Sequence, residues 1–501
     1  EIPVVDEAFQ GEAAKREQQT FPWPIFPHPK GKDFVDFDED VQVSDLRHAV
    51  IEGYEGMELL KRFTTFGMGP SQGRHSAVAA LLLHSQSTGV PIEEHTLTTS
   101  RPPIGGEKFA LLAGRSFEPV LRTPMHHRHL EAGARMMPAG QWLRPAFYGP
   151  PESAEARIEE EALGVRNQVG LIDVSTLGGI EIRGPDAPEF INRMYNTGHL
   201  KQPVGRCRYV LMTDMEGTVS DDGVACRLAE EHYYVTTTTT GSAGVHQEML
   251  FQNSQWRLRV DIAQVSHAYC AVNLAGPHSR EVLQRVCDDV DLSAENLPYL
   301  GAVRGTVAGI AVLIMRVGFV GELGYEIHAP WSCGEALWDQ LIAAGKPSGI
   351  QPFGVEAQRV LRLEKGHLII GQDTDGLTTP EEADLGWAVN ARKPYFIGKR
   401  SQAIRSAGGL SRRLVGFSIE DAKAPVPREC HLVLAGERIT GRVTSCHRSA
   451  TLGKVIGLAY VEPRQAALGS KFEIKVDNGH RVWAQVVELP FYDPEGLRQR
   501  Q

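Results

Sequence analysis

The sequence predicts an α+β protein: a small helical domain near its start, a larger domain built on a repeated strand–helix unit, and an all-β end. Three observations carry that reading. From Ser44 onward apolar residues recur at helical spacing, with Leu46, Ala49 and Val50, then Met57, Leu59, Leu60 and Phe63, then Ala77, Ala80 and Leu81. Ile180-Glu181-Ile182-Arg183-Gly184-Pro185 and Val272-Asn273-Leu274-Ala275-Gly276-Pro277 repeat one design. Each is a strand, a glycine for a tight exit and a proline at the first position of a helix, where its missing N–H costs nothing, so the domain reads as pseudo-duplicated. After Gly408-Gly409 the pattern turns to alternation, and Phe472, Ile474 and Val476 face Val482, Ala484 and Val486 across Asn478-Gly479, a strong hairpin signal.

The parts follow in order. Residues 1–35 form an extended arm, because Phe21-Pro22-Trp23-Pro24-Ile25-Phe26-Pro27 cannot be helical. Residues 36–95 are the helical domain. Its turn Gly67-Met68-Gly69-Pro70-Ser71-Gln72-Gly73 lies between helices and lacks the preceding strand of a dinucleotide loop. Residues 96–122, with Arg101-Pro102-Pro103 and Gly105-Gly106, are a linker. The main domain, 123–408, opens with Thr123-Pro124-Met125-His126-His127-Arg128-His129. There His127 and His129 suit strand spacing, and no further His or Cys completes a metal site. Gly334 to Gly345 is a helix with Leu337, Trp338, Leu341 and Ile342 on one face, and residues 409–501 form a small β-barrel or meander.

Composition bounds the function. Of 501 residues 42% are hydrophobic and 23% charged, ordinary for a globular protein. The net charge of -10 argues against a nucleic-acid partner. The longest apolar stretches, such as Ala308 to Met315, fall short of the roughly 18 residues that cross a bilayer. Glu1-Ile2-Pro3 has neither an initiator Met nor the regions of a signal peptide, which points to a processed or trimmed terminus or a longer parent chain. Seven cysteines scattered without a C-x-x-C read as reduced thiols, hence a cytoplasmic setting.

The chemistry is concentrated in Glu216-Gly217-Thr218-Val219-Ser220-Asp221-Asp222-Gly223-Val224, where two acids sit on a glycine turn before a short apolar strand. With Gly321-Glu322-Leu323-Gly324-Tyr325-Glu326 and Gly371-Gln372-Asp373, this stretch resembles the folate-binding aminomethyltransferase family, whose type member is the T-protein of the glycine cleavage system. The resemblance implies a tetrahydrofolate site. Glu326 matches the family's pterin-binding glutamate, suited to that task because a carboxylate offers two in-plane acceptors to the pterin 2-amino group and N3–H. Asp222 matches the essential aspartate near the folate nitrogens, with an electrostatic and general-base role. Asp221 anchors the turn through backbone N–H groups. Tyr299 and Tyr209 fall where the family keeps pocket tyrosines. Phe319 and His367 stand where the T-protein usually has tyrosine, Gln358 replaces an arginine, and Thr236 to Thr240 replaces an Asn-containing segment, so the pocket is of the same kind but altered.

Phe34-Val35-Asp36-Phe37, Leu60 to Gly69, Arg101-Pro102-Pro103, Leu112-Ala113-Gly114-Arg115, Thr123-Pro124-Met125-His126 and Gln141-Trp142 with Arg144-Pro145 are similar to the C-terminal half of the α subunit of heterotetrameric sarcosine oxidase. That resemblance implies a hetero-oligomer. A flavin subunit oxidises an N-methyl amine to an iminium, and this chain captures the carbon as 5,10-methylenetetrahydrofolate. The sequence holds no flavin site that we identify, so the flavin is expected on a partner chain. The helical domain resembles the [2Fe-2S] module of bacterioferritin-associated ferredoxin, but Asp36, Asp38, Ser71 and Ser76 occupy the four cysteine positions, so no cluster is expected. The other readings are a stand-alone tetrahydrofolate-dependent transferase and a folate-binding protein without turnover.

Overall fold

The computed structural model describes residues 28–97, 99–102, 107–114, 119–421 and 423–501. Most of the expected arm lies outside these residues. The chain forms two compact units, one up to residue 117 and one from residue 118.

In the first unit a short ribbon, Phe34–Asp36 with Val41–Gln42, leads into helices Val43–Ile51, Met57–Thr64 and Ala77–Thr88. Leu46, Ala49, Leu60, Phe66 and Ala80 fill its core. Leu59 and Phe63, expected inside, are about half exposed at 52% and 50%; Phe63 stacks on Tyr54 instead, with ring centres 4.1 Å apart. Asp36, Asp38, Ser71 and Ser76, expected by resemblance at cysteine positions, lie in segments that hydrogen bonds tie together. Fully buried Asp36 accepts from Ser76 Oγ at 3.0 Å and from the Gly67 N–H at 2.8 Å, while Asp38 accepts from the Ser71 N–H at 2.8 Å. Two carboxylates thus hold these segments together. Among its described residues the expected linker carries one short helix, Phe109–Leu112.

Among the described residues the second unit contains two large sheets, a two-stranded ribbon of Ala134–Ala139 with Trp142–Tyr148, and a barrel. Five antiparallel strands lie in the order Asp261–Gln264, Gly178–Arg183, His232–Thr237, Val219–Ala229, Arg206–Thr213. Helices Ala187–Met194 and Ser242–Trp256 bury Phe190, Ile191, Val245 and Met249 against that sheet. Six strands lie in the order Ala302–Val307, Ile310–Met315, Gly324–Pro330, Tyr269–Ala275, Val169–Asp173, Ile350–Pro352, with only the last pair parallel. Period-2 alternation gives this sheet two buried faces: Val272, Leu274, Tyr325 and Ile327 face one cluster, and Ala271, Ala275 and Ile172 another. Along the edge formed by Ile310–Met315 and Gly324–Pro330, the second face meets the five-stranded sheet through Leu313, Met315, Cys207, Cys226 and Tyr234. This seam positions the candidate site.

The repeated unit is present twice with the same backbone device. Gly184 and Gly276 have φ of +136° and +129°, and a side chain there would press within 2.3 Å of the Arg259 carbonyl and 2.5 Å of the Gln168 carbonyl. The helices begin at Ala187 and Ser279, so Pro185 and Pro277 sit in the entry turn and not at the first helical position as expected. His126 to Glu131 is a helix, not strand. Its His129 is buried, with its ring nitrogens 3.0 Å from Asp173 and 3.0 Å from the Tyr148 hydroxyl, a structural tie.

The end of the chain is a closed six-stranded barrel filled by Val415, Phe417, Val433, Val443, Phe472, Ile474 and Val486. Phe472 pairs with Ala484 and Ile474 with Val482. Asn478 and Gly479 both take positive φ, 56° and 77°, as an Asn-Gly turn requires. The barrel is tied to the rest of the unit at Asp373 of the Gly371-Gln372-Asp373 motif. Fully buried, it pairs with Arg362 and accepts from Thr444 Oγ1 at 2.7 Å. Among the described residues no helix is long and apolar enough to cross a membrane.

Candidate active site

Asp221 and Asp222 lie inside the strand Val219–Ala229, not on the turn before it as expected; the turn ends earlier, at Gly217 with φ +79°. The strand can run through this stretch because residue 223 is glycine: a Cβ there would sit 1.9 Å from the Thr236 carbonyl. The two carboxylates have opposite surroundings. Asp221 is buried and bonded on every side, accepting from the Asp222 N–H at 2.7 Å, the Thr238 N–H at 3.1 Å and Thr238 Oγ1 at 3.3 Å. It clamps the middle of the threonine run to the neighbouring strand, and burial still pushes it up to about 6. Asp222 is half-buried and receives one side-chain hydrogen bond, from the Tyr209 hydroxyl to Oδ2 at 3.0 Å. Burial first, and the charge of Asp221 second, push its carboxyl up to about 7.

Tyr209 keeps its proton, because burial and then Asp222 hold its phenol well above the ordinary range, and it is therefore the donor. Trp387 lies against it, with ring centres 5.2 Å apart at 32°, although 70% of the Trp387 surface is exposed. Leu211, Val219, Ala383, Leu385 and Ala388 pack beneath this group.

Glu326 is on the adjacent sheet, in Gly324–Pro330, opposite Asn273 and Met315. Its side chain is 13% exposed, and Oε2 is 3.4 Å from His328 Nε2. Tyr299, half-buried, accepts at its carbonyl from Arg206 of the five-stranded sheet at 2.9 Å. Phe319 and His367 are stacked, 5.6 Å apart at 28°. His367 Nδ1 donates to the Phe319 carbonyl at 2.8 Å, and burial takes the imidazole down to about 4, so the ring is neutral.

The structure therefore brings Asp222 onto Tyr209 and Phe319 onto His367. Glu326 and Tyr299 have other partners, His328 and Arg206. Sequence reasoning missed Trp387, which nothing local in the sequence ties to Tyr209, and His328, which the period-2 spacing from Glu326 could have revealed. Among the described residues no group of three or more His, Cys, Asp or Glu side chains is placed to hold a metal ion.

Comparison with known proteins adds to this geometry. The chain matches the GCVT N-terminal domain over residues 125–393, the glycine cleavage T-protein C-terminal barrel domain over 412–493 and the sarcosine oxidase A3 domain over 30–115. It is 38% identical to the sarcosine oxidase subunit alpha of Corynebacterium sp. (strain P-1), across 93% of this chain and 50% of that protein. It is 33% identical to the aminomethyltransferase of Halothermothrix orenii, across 74% of this chain and 99% of that protein. The chain thus spans about half the length of its sarcosine oxidase relatives. The glycine cleavage system aminomethyltransferase T of Bartonella henselae shares its fold, with a TM-score of 0.67 at 24% identity, covering 75% of this chain and 99% of that one.

Proposed function

The chain belongs to the aminomethyltransferase family of the glycine cleavage T-protein, and from that membership we propose that it is an enzyme passing a one-carbon unit to tetrahydrofolate. The observation that carries this reading is the Asp222 carboxyl, pushed up to about 7 and held at one oxygen by Tyr209. A group that titrates near neutrality can both stabilise a cation as carboxylate and hold a proton afterwards.

In the mechanism, a folate nitrogen attacks an iminium-like carbon and its lone pair becomes the new C–N bond. The nitrogen is then cationic and must lose its proton. The Asp222 carboxylate favours the positive carbon before attack and accepts that proton after it; passed on to the amine nitrogen, the proton lets the original C–N bond break and the amine depart, and the second folate nitrogen closes the methylene bridge and releases its own proton. Tyr209 keeps Asp222 oriented by donating to Oδ2. Asp221 raises the proton affinity of its neighbour by charge. Glu326 supplies two acceptor oxygens for the pterin 2-amino group and N3–H. Tyr299 and the Phe319–His367 stack line the ring site, where a neutral His367 adds an aromatic face without a competing cation.

More finely, the chain is the folate-binding subunit of a cytoplasmic, sarcosine-oxidase-like hetero-oligomer. A flavin on a partner chain oxidises an N-methyl amine, and this chain captures the iminium carbon as 5,10-methylenetetrahydrofolate. The match to a sarcosine oxidase subunit alpha over 93% of the chain supports this, as does the A3 domain. A second reading, a stand-alone transferase, is supported by the fact that the chain spans 99% of an aminomethyltransferase. Turnover by the isolated chain would favour the second.

Anaerobic calorimetric titration with tetrahydrofolate tests the core of the proposal. Saturable binding that Glu326→Ala abolishes is expected. Binding unchanged in Glu326→Ala would remove Glu326 from the site, and no binding to the wild type, with or without partner chains, would overturn the folate reading.

A further inference from the structure

Glu326 is recruited to a pterin in the reading above, yet a carboxylate at the end of a freely rotating side chain is a poor bidentate acceptor unless its plane is fixed. The strand itself brings the candidate for that task. His328 is two residues on, so period-2 alternation puts it on the same face as Glu326. Its ring is only 4% exposed, with Nε2 at 3.4 Å from Glu326 Oε2, and that nitrogen is buried without a hydrogen-bond partner among the described residues. The other nitrogen, Nδ1, is 3.3 Å from the hydroxyl of Tyr234, which reaches across the seam from the five-stranded sheet. The Tyr234 ring meets the imidazole edge-on, with centres 5.3 Å apart at 76°.

This contact sets the tautomer. Tyr234 is 5% exposed, and burial holds its phenol far above the ordinary range, so its proton stays on and needs an acceptor. Nδ1 is that acceptor. A neutral imidazole that accepts at Nδ1 carries its hydrogen at Nε2, the atom facing Glu326. A buried N–H facing a carboxylate oxygen from just beyond hydrogen-bond range is costly as it stands and gains when the gap closes.

We propose that His328 is a positioning residue for Glu326: on ligand binding its Nε2–H donates to Oε2 and locks the carboxylate plane, leaving one lone pair on Oε2 and both on Oε1 for two parallel N–H donors. Tyr234 holds the ring from behind and couples the pterin acceptor to the packing of the two sheets. The inference rests on the reading of Glu326 as the pterin acceptor, and the test separates the two.

The readout is selectivity: the ratio of Kd values for a tetrahydrofolate analogue lacking the 2-amino group and for tetrahydrofolate itself, measured by anaerobic calorimetry on the full chain. Glu326→Gln is expected to erase the preference. His328→Phe, which fills the space without a donor, is expected to cut it by about 3- to 30-fold, while His328→Gln, whose amide N–H₂ reaches the position of Nε2, retains most of it. If His328 merely packs the seam, Phe will weaken both ligands alike and leave the ratio at its wild-type value, which overturns the proposal while Glu326→Gln still erases the preference. A ratio unchanged in Glu326→Gln would overturn the Glu326 reading itself, and the role of His328 with it.

Discussion

Asp222→Asn should make the protein more stable, and increasingly so as pH rises. The carboxyl is raised from 3.8 to about 7, roughly 3 units, which at about 1.4 kcal/mol per unit sets a ceiling of about 4 kcal/mol. The sign follows from proton binding: between pH 4 and 7 the folded chain retains a proton that the unfolded chain has released, so this residue's contribution falls as pH rises through that window and is constant above it. Asp221, raised to about 6 beside it, shares the same protons, and an effective protein dielectric nearer 20 than 4 reduces the figure to about 2 kcal/mol. Asn keeps the shape and can still accept from Tyr209. Urea unfolding at pH 8 should therefore show a gain of about 2 kcal/mol, falling to about half of that at pH 4.5. An equal gain at both values, or none at pH 8, would refute the argument that burial and Asp221 set this group's proton affinity. The same variant should retain tetrahydrofolate binding and lose one-carbon transfer by about 10²- to 10⁴-fold.

Asp373→Ala leaves Arg362 buried without its carboxylate and should cost about 3–5 kcal/mol, seen as a lower unfolding midpoint and faster proteolysis ahead of the barrel. Trp387→Ala should change stability by less than about 1 kcal/mol, since the ring is 70% exposed, yet slow transfer about 3- to 10-fold by loosening Tyr209; an unchanged rate would remove Trp387 from the site. Gly241→Ala places a Cβ 2.1 Å from Asp221 Oδ2 and must displace that carboxylate. Relieved of the neighbouring charge, Asp222 should titrate lower, moving the acid limb of the transfer pH profile down by about one unit.

What was legible in the sequence is what short-range pattern encodes. The Asn478-Gly479 hairpin, the alternation of Phe472 to Val486 and the doubled strand–glycine unit each depend on neighbouring residues, and each is present. Errors arose where a local cue competes with packing. Asp221 and Asp222 follow a glycine and look like turn residues, but Gly223 lets the strands approach closely enough for pairing to begin at Val219. His127 and His129 fit the spacing of a strand, yet the segment from His126 is a helix whose His129 contacts Asp173 and Tyr148. Leu59 and Phe63 fit a helical stripe wider than the face that Leu60 buries. Of the candidate site, Asp222, Tyr209, Glu326, Tyr299, Phe319 and His367 were readable by resemblance, whereas Trp387 on Tyr209 and Tyr234 on His328 are tertiary pairings between segments far apart in the chain.

On the proposed reading, two carboxylates of the same chemistry perform different tasks because their neighbours differ. At Asp222, burial and the neighbouring acid disfavour the charge by more than the hydrogen bond from Tyr209 favours it, which prepares the group to exchange a proton. Glu326 faces His328 on its own strand, an arrangement that fixes it as an acceptor. Acid–base work and recognition are thus separated by environment and not by residue type. The separation also depends on the two sheets being packed: Asp222 and Tyr234 are in one, Glu326 and His328 in the other. A substitution that opens the seam, such as Met315→Ala at a fully buried position, should cost about 2–5 kcal/mol and reduce the preference for the 2-amino group before it alters the proton affinity of Asp222, because only recognition spans both sheets. Loss of the pH dependence of stability ahead of ligand selectivity would show that the two acids are coupled more closely than this division allows.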